Sequence, residues 1–155
     1  MDDRFIEDAM KNYGDTVLRA AASVTGNQPD AEDVFSDVFF ALFRYHAGFV
    51  SEEHLKAWLI RVALNQAKNL RSSYWSQNRL PLSESIPAPE QDLTSAYDVP
   101  AALQALEPDS RAAVYLHYYE GYAYRDIAGM LLLSEGGVRT KVARARAELK
   151  AYLSD

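Results

Sequence analysis

Apolar residues recur at steps of three and four along most of the chain, a spacing that predicts amphipathic helices. Ile6, Met10, Tyr13, Val17, Ala21 and Val24 form the first such stripe, which stops near Thr25-Gly26-Asn27. Pro29-Asp30 opens a second helix with Val34, Phe35, Val38, Phe39, Leu42 and Phe43 facing inward, while Asp30, Glu32, Asp33 and Asp37 crowd its first turns, where negative charge suits the helix dipole. A third helix runs from about Glu52 to Tyr74 and buries Leu55, Leu59, Val62, Ala63 and Leu70. Three such helices can bury a small core together.

The periodicity then stops. Residues 81–100 hold four of the six prolines and no Lys or Arg, a composition that sustains neither helix nor central strand. They read as an exposed linker between two helical domains, 1–80 and 101–155, with little apolar surface to tie the two together. This predicts domains that move independently. Beyond the linker, residues 101–120 give a helix pair broken at Glu107-Pro108-Asp109, with Pro108 in a first helical turn and Gly121 as the stop. Next come a short helix with Ile127, Ala128 and Leu131 inward, a three-residue turn, Ser134 as N-cap and a final helix, the spacing of a helix-turn-helix. The fold class is therefore all-α, two small helical domains joined by a flexible linker.

The final helix is unusual in this chain, whose formal net charge is -6. SEGGVRTKVARARAELK places Val138, Val142, Ala145 and Leu149 on one narrow stripe, and Arg139, Thr140, Ala143, Arg144 and Ala147 across the opposite side. One face suits a core and the other is free to touch something. The third helix has a comparable polar side: Arg61, Asn65, Lys68 and Ser72 form a stripe without an acid, continued by Arg71, Trp75 and Arg79, cations and aromatics of the kind that grip phosphates and stack on bases. Each pattern alone also fits an ordinary solvated face. In a helix-turn-helix, however, the second helix enters the major groove, which would assign Arg139 and Arg144 to bases and Lys141, Arg146 and Lys150 to phosphates.

Composition narrows the alternatives. A hydrophobic content of 48% is enough for packed cores, and the absence of Cys excludes disulfides and thiolate metal sites. No apolar run approaches the roughly 18 residues of a membrane span, and MDDRFIEDAM lacks the features of a signal peptide, so a cytoplasmic protein without membrane insertion is expected. A sequence pI near 5.1 argues against indiscriminate nucleic-acid binding but leaves room for a local basic surface. His46, His54 and His117 are scattered, no Gly-rich phosphate loop is present, and Glu52-Glu53 reads as a helix start, so neither an enzyme nor a cofactor is expected.

Taken in order, DAEDVFSDVFFALF, FVSEEHLKAWLIRVALNQAKNLR, and EPDSRAAVYLHYYEGYAYRDIAGML followed by LLSEGGVRTKVARARAEL resemble regions two and four of bacterial sigma factors of the extracytoplasmic-function (ECF) group, over nearly the whole chain. The resemblance implies a non-enzymatic initiation subunit that binds core RNA polymerase and directs it to promoter DNA. It implies that Asp30, Glu32, Asp33, Ser36 and Asp37 meet the clamp helices of the beta-prime subunit. By the same carry-over, the loop from His46 to His54, with Phe49, holds a base flipped from the non-template strand, and Arg61, Asn65, Lys68, Asn69, Arg71 and Ser72 bind beside it at the minus-ten element. Arg139, Thr140, Lys141, Ala143, Arg144, Arg146 and Lys150 then serve the minus-thirty-five element. An anti-sigma factor, which in this family commonly wedges between the domains, is a further implied partner.

Some positions depart from the family pattern: Ser36 replaces a usual Gln, Leu132 a usual Gly in the turn, Gly137 a usual Thr, and Ala123 a usual Ser or Thr cap. RSSYWSQNR is also less basic than that stretch often is, so poor DNA affinity without polymerase is expected. Two other readings fit the residues less fully. A free-standing dimeric helix-turn-helix regulator leaves the first domain unexplained, and a DNA-free module would pack the basic helix on an acidic partner.

Overall fold

The computed structural model describes residues 3–45, 47–77 and 101–154, and among them there are helices and turns but no strand. The linker read over 81–100, His46, Arg79 and the side chains of Ser72 and Trp75 lie outside the described residues.

Helix α1 spans Asp3–Thr25, α2 Gln28–Arg44 and α3 Glu52–Gln77. Gly26, at φ 82, donates its N–H to Ala22 O at 2.8 Å and ends α1 in the left-handed region that glycine tolerates. Asn27 caps α2: its side-chain oxygen accepts from the Asp30 N–H at 2.9 Å, and its amide donates to the Asp30 carboxylate at 2.9 Å. Pro29 follows in the first turn, where its missing N–H costs nothing. Val17, Val24, Val34, Val38, Leu42, Leu59, Ile60 and Leu64 are fully buried where the three helices meet.

Phe43 does not join them and is 52% exposed. The buried residues of α2 are Ala31, Val34, Val38, Phe39 and Leu42; Phe43 lies one turn beyond Phe39 at the edge of that stripe, in the last turn of the helix.

After residue 100 the chain forms α4 (Ala101–Gln104) and α5 (Pro108–Val114), then a π-helical turn over Tyr115–Tyr119. Helices α6 (Tyr124–Leu131) and α7 (Glu135–Ser154) complete the fold. Leu132 stands between the last two at φ 59 and ψ 44, so the backbone does require a left-handed residue where the sequence supplies leucine. Ser134 caps α7, accepting from the Gly137 N–H at 2.9 Å, whereas Ala123 gives α6 no side-chain cap. The stripe of Val138, Val142 and Ala145 is buried as the periodicity predicts.

The two helical groups are packed against each other in this structure. Helix α5 packs on α1 and α6 on α3, and the buried residues of both groups form one continuous apolar cluster. Arg111, 4% exposed, donates from Nε to Ser23 O at 2.7 Å and from Nη2 to Val24 O at 2.8 Å. Its Nη1 reaches Leu106 O at 3.4 Å. One guanidinium thus occupies carbonyls at the C-terminus of α1, which the helix cannot satisfy itself and where its dipole favours a cation. Burial, and then the charge of Arg71, pull the Arg111 pKa down to about 10, still well above neutral. The described contacts that dock the two groups come from residues outside 81–100, so the composition of that segment did not reveal them.

Candidate nucleic-acid and polymerase interfaces

Three surfaces carry the residues singled out from the sequence. On α7, Arg139, Thr140, Ala143, Arg144, Arg146 and Lys150 are exposed; Thr140, Ala143 and Arg144 lie opposite the buried valines, Arg139 and Lys150 to one side, and Arg146 close beside those valines. Arg139 is held near the start of the helix by Glu135 at 2.9 Å, with its guanidinium carbon 5.2 Å from the centre of the Tyr124 ring. Lys141 is on the flank, half-buried, 2.8 Å from the Glu107 carboxylate. Burial raises the Glu107 pKa, but hydrogen bonds from Lys141 and Ser110 and the charges of Lys141 and Lys68 outweigh it and hold the carboxyl below its ordinary value.

On α3, Arg61, Asn69 and Arg71 are exposed, while Asn65 and Lys68 are half-buried. The Lys68 ammonium donates to Leu131 O at 2.7 Å and pairs with Asp109 at 3.1 Å. Lys68, Arg71, Glu107, Pro108, Asp109 and Val24 line an open cleft of about 290 Å³ between the two helical groups. The acid-free stripe of the sequence is therefore met by an acid from α5, Asp109.

Phe49 is half-buried in a ring cluster, 5.0 Å from Tyr45, 5.2 Å from His54 and 5.6 Å from Trp58 between centroids. His54 Nδ1 accepts the Val50 N–H at 3.1 Å and the Ser51 hydroxyl caps α3 on the His54 N–H at 3.0 Å, so the loop before α3 is fixed at its end. Val50 is 90% exposed at its tip.

On α2, Asp33, Ser36 and Asp37 are exposed, whereas two of the five acidic-face residues have local partners: Asp30 is bound to Asn27, and Glu32 accepts from Gln28 at 2.8 Å. Phe40 and Phe43 stand on the same exposed side, with Arg44 over the Phe40 ring. The sequence reading missed this aromatic addition to the acidic face. Two adjacent phenylalanines beyond Val38 cannot both face a core one helix wide, and that was the available signal.

Residues 9–77 match the Sigma-70 region 2 family and residues 97–149 the Sigma-70, region 4 family. The chain is 31% identical over 163 residues to the ECF RNA polymerase sigma factor SigE of Mycolicibacterium smegmatis, covering 96% of this chain and 61% of that protein. It is 27% identical to the RNA polymerase sigma factor NccH of Alcaligenes xylosoxydans xylosoxydans, over 93% of this chain and 84% of that one. The fold resembles that of the sigma factor RpoE of Bartonella quintana, crystallised with the anti-sigma factor NepR, at a TM-score of 0.78 and 21% identity over 96% of both chains. Among the described residues no helix is long and apolar enough to cross a membrane. With a region-2 bundle and a region-4 helix-turn-helix in family order, the chain belongs to the sigma-70 family of RNA polymerase sigma factors, in its extracytoplasmic-function group, whose members are transcription initiation factors.

Proposed function

We propose that the chain acts in the cytoplasm as a non-enzymatic promoter-specificity subunit, docking on core RNA polymerase through α2 and delivering it to DNA through α3 and α7. The observation that carries this reading is the separation of charge by surface: an acidic and aromatic face on α2, and basic faces on α3 and on the second helix of a helix-turn-helix. Asp33 and Asp37, flanked by Phe40 and Phe43, suit a basic helical partner with an apolar centre, the place that the family resemblance gives to the beta-prime clamp helices. Arg61, Asn65, Lys68, Asn69, Arg71 and Ser72, with the Phe49 loop, serve the opened minus-ten segment. Extruding a base there costs a few kcal/mol, which contacts to the base must offset. Arg139 and Arg144 read the minus-thirty-five duplex, with Thr140 and Ala143 beside them, and Lys141, Arg146 and Lys150 attract phosphate. An anti-sigma factor is a proposed partner, in keeping with the complex of RpoE and NepR.

Run-off transcription with core polymerase and a promoter library tests the proposal. A discrete promoter class transcribed only when the chain is added is the expected result. Tight duplex binding by the chain alone, with no effect of core polymerase on promoter choice, would replace this function with that of a free-standing regulator.

A further inference from the structure

The two carboxylates either side of Pro108 point to two different DNA-facing surfaces. Asp109 holds Lys68 of α3 at 3.1 Å, and Glu107 holds Lys141 of α7 at 2.8 Å. The four side chains are between 23% and 51% exposed, so the pairs sit at the rim of the interdomain cleft rather than in the core. Lys68 is saturated further by Leu131 O, from the last turn of α6. Close by, the Arg61 Nη2 atom would lie 3.3 Å from a Cβ added at Gly129, so α6 also lies over the stripe's first cation. Glu107 is the residue before α5, yet its side chain makes no cap to that helix and is committed to Lys141 and Ser110 instead.

We propose that the Glu107-Pro108-Asp109 elbow is an intramolecular substitute for DNA phosphate. In the free chain it occupies one cation of the minus-ten surface and one of the minus-thirty-five surface, and it releases both when promoter DNA is engaged. The chemistry fits. A carboxylate oxygen about 3 Å from an ammonium makes the charge-assisted hydrogen bond that a phosphate oxygen would make, and Pro108 fixes the backbone between the two acids. Bound DNA must displace both carboxylates, so the elbow lowers the affinity of the isolated subunit for any nucleic acid, and it ties the unmasking of Lys68, whose acid comes from the other helical group, to separation of α5 from α3. The inference rests on the assignment of Lys68 and Lys141 to DNA.

The test uses the full chain with Glu107→Gln and Asp109→Asn, against a charge-matched control, Glu7→Gln and Asp8→Asn, on the exposed side of α1. Because the chain has no Cys, donor and acceptor dyes can be placed uniquely at Asn12→Cys on α1 and Glu148→Cys on α7. The probe is a promoter fragment with duplex at minus thirty-five and single strand at minus ten, titrated at several salt concentrations. Relative to the control, the elbow variant is expected to show a longer dye separation without DNA and roughly three- to tenfold tighter binding, the scale of two partly exposed ion pairs. Its salt slope should be steeper, by about 0.9 for a duplex contact and about 0.7 for a single-strand contact. Asp109→Asn alone, which leaves Glu107 in place, should give only the smaller increment, and circular dichroism confirms that each variant is folded. An unchanged dye separation, or an affinity equal to the control's, overturns the proposal. A separate measurement isolates the underlying assignment: Lys68→Ala and Lys141→Ala in holoenzyme should each flatten the promoter salt slope. If neither does, the cations do not touch DNA and the masking falls with them, whatever the dyes report.

Discussion

Single residues of the helix-turn-helix set how firmly it is built. Leu132 is 75% exposed, so its side chain gains little from burial while its backbone sits at φ 59. A left-handed conformation costs an L-residue about 1–2 kcal/mol, and glycine gives back about 0.4–1 kcal/mol through the flexibility of the unfolded chain. Leu132→Gly should therefore raise stability by on the order of 0.5–1 kcal/mol, seen as a higher calorimetric midpoint; a lower one would mean that Leu132 has a favourable contact the fold depends on. Gly136 and Gly137 look alike in sequence but not in space. A Cβ at Gly136 meets nothing within 4 Å, whereas one at Gly137 comes 3.0 Å from the Ser134 hydroxyl that caps the helix. Gly136→Ala should gain about 0.8–1.0 kcal/mol from helix propensity. Gly137→Ala should gain less or lose, since disturbing a cap costs about 0.5–2 kcal/mol. Urea midpoints decide it, and equal gains would show that the cap has room.

Whole helices carry the assignments to partners. Asp33 and Asp37 are exposed on α2 and outside its buried set, so reversing both to Lys should weaken core-polymerase binding while the fold persists. Charge pairs that come close across an interface couple by about 1.5–7 kcal/mol, and an unchanged titration against core polymerase would refute the docking face. On α7, Arg139→Ala and Arg144→Ala should each cost roughly 1–3 kcal/mol and relax preference at particular base pairs, while Lys150→Ala weakens all promoters about equally. Arg139 already holds Glu135 in the free chain, so part of what it gains on DNA replaces an existing pair, and Arg144→Ala should be the costlier change. Holoenzyme binding across promoter variants checks both, and base preferences unaltered in both Arg variants would give this helix to a protein partner. These elements were legible because their information is local. The valines of α7 and the cap at Ser134 follow from spacings of a few residues, whereas the left-handed demand at Leu132 was visible only through the glycine usual at that turn in the family. Phe43 was misplaced because periodicity marks a stripe without saying how wide the neighbouring helices make it. The partners of Lys68 were hidden for another reason: Leu131 stands 63 residues away, beyond any helical repeat.

At the scale of the molecule, the fold turns on how the second helical group is fastened to the first. Arg111 was invisible to pattern reading because a lone cation among Ser110, Ala112 and Ala113 looks like a solvated side chain, and only the tertiary fold brings the C-terminus of α1 over it. Gly26 admits it: at φ 82 no L-residue is comfortable, and a Cβ there would lie 3.3 Å from Arg111 Nη2 and 3.1 Å from Gln104 Oε1. Replacing Arg111 by Met keeps an unbranched stem of similar length but removes the donors to Ser23 O, Val24 O and Leu106 O. A buried carbonyl left without a donor costs about 1–3 kcal/mol. The chain can avoid that cost without unfolding, because parting α5 from α1 lets water reach the same carbonyls. Arg111→Met should therefore open the molecule before it melts it: a larger radius of gyration by small-angle scattering, with far-ultraviolet circular dichroism unchanged at the same temperature. Gly26→Ala should open it as well through a different cause, with some loss at the end of α1. If Arg111→Met unfolds both helical groups together and no expanded helical state is populated, the docking is part of a single cooperative core. If the radius is unchanged, apolar packing between α6 and α3 suffices to hold the halves, and the guanidinium is dispensable.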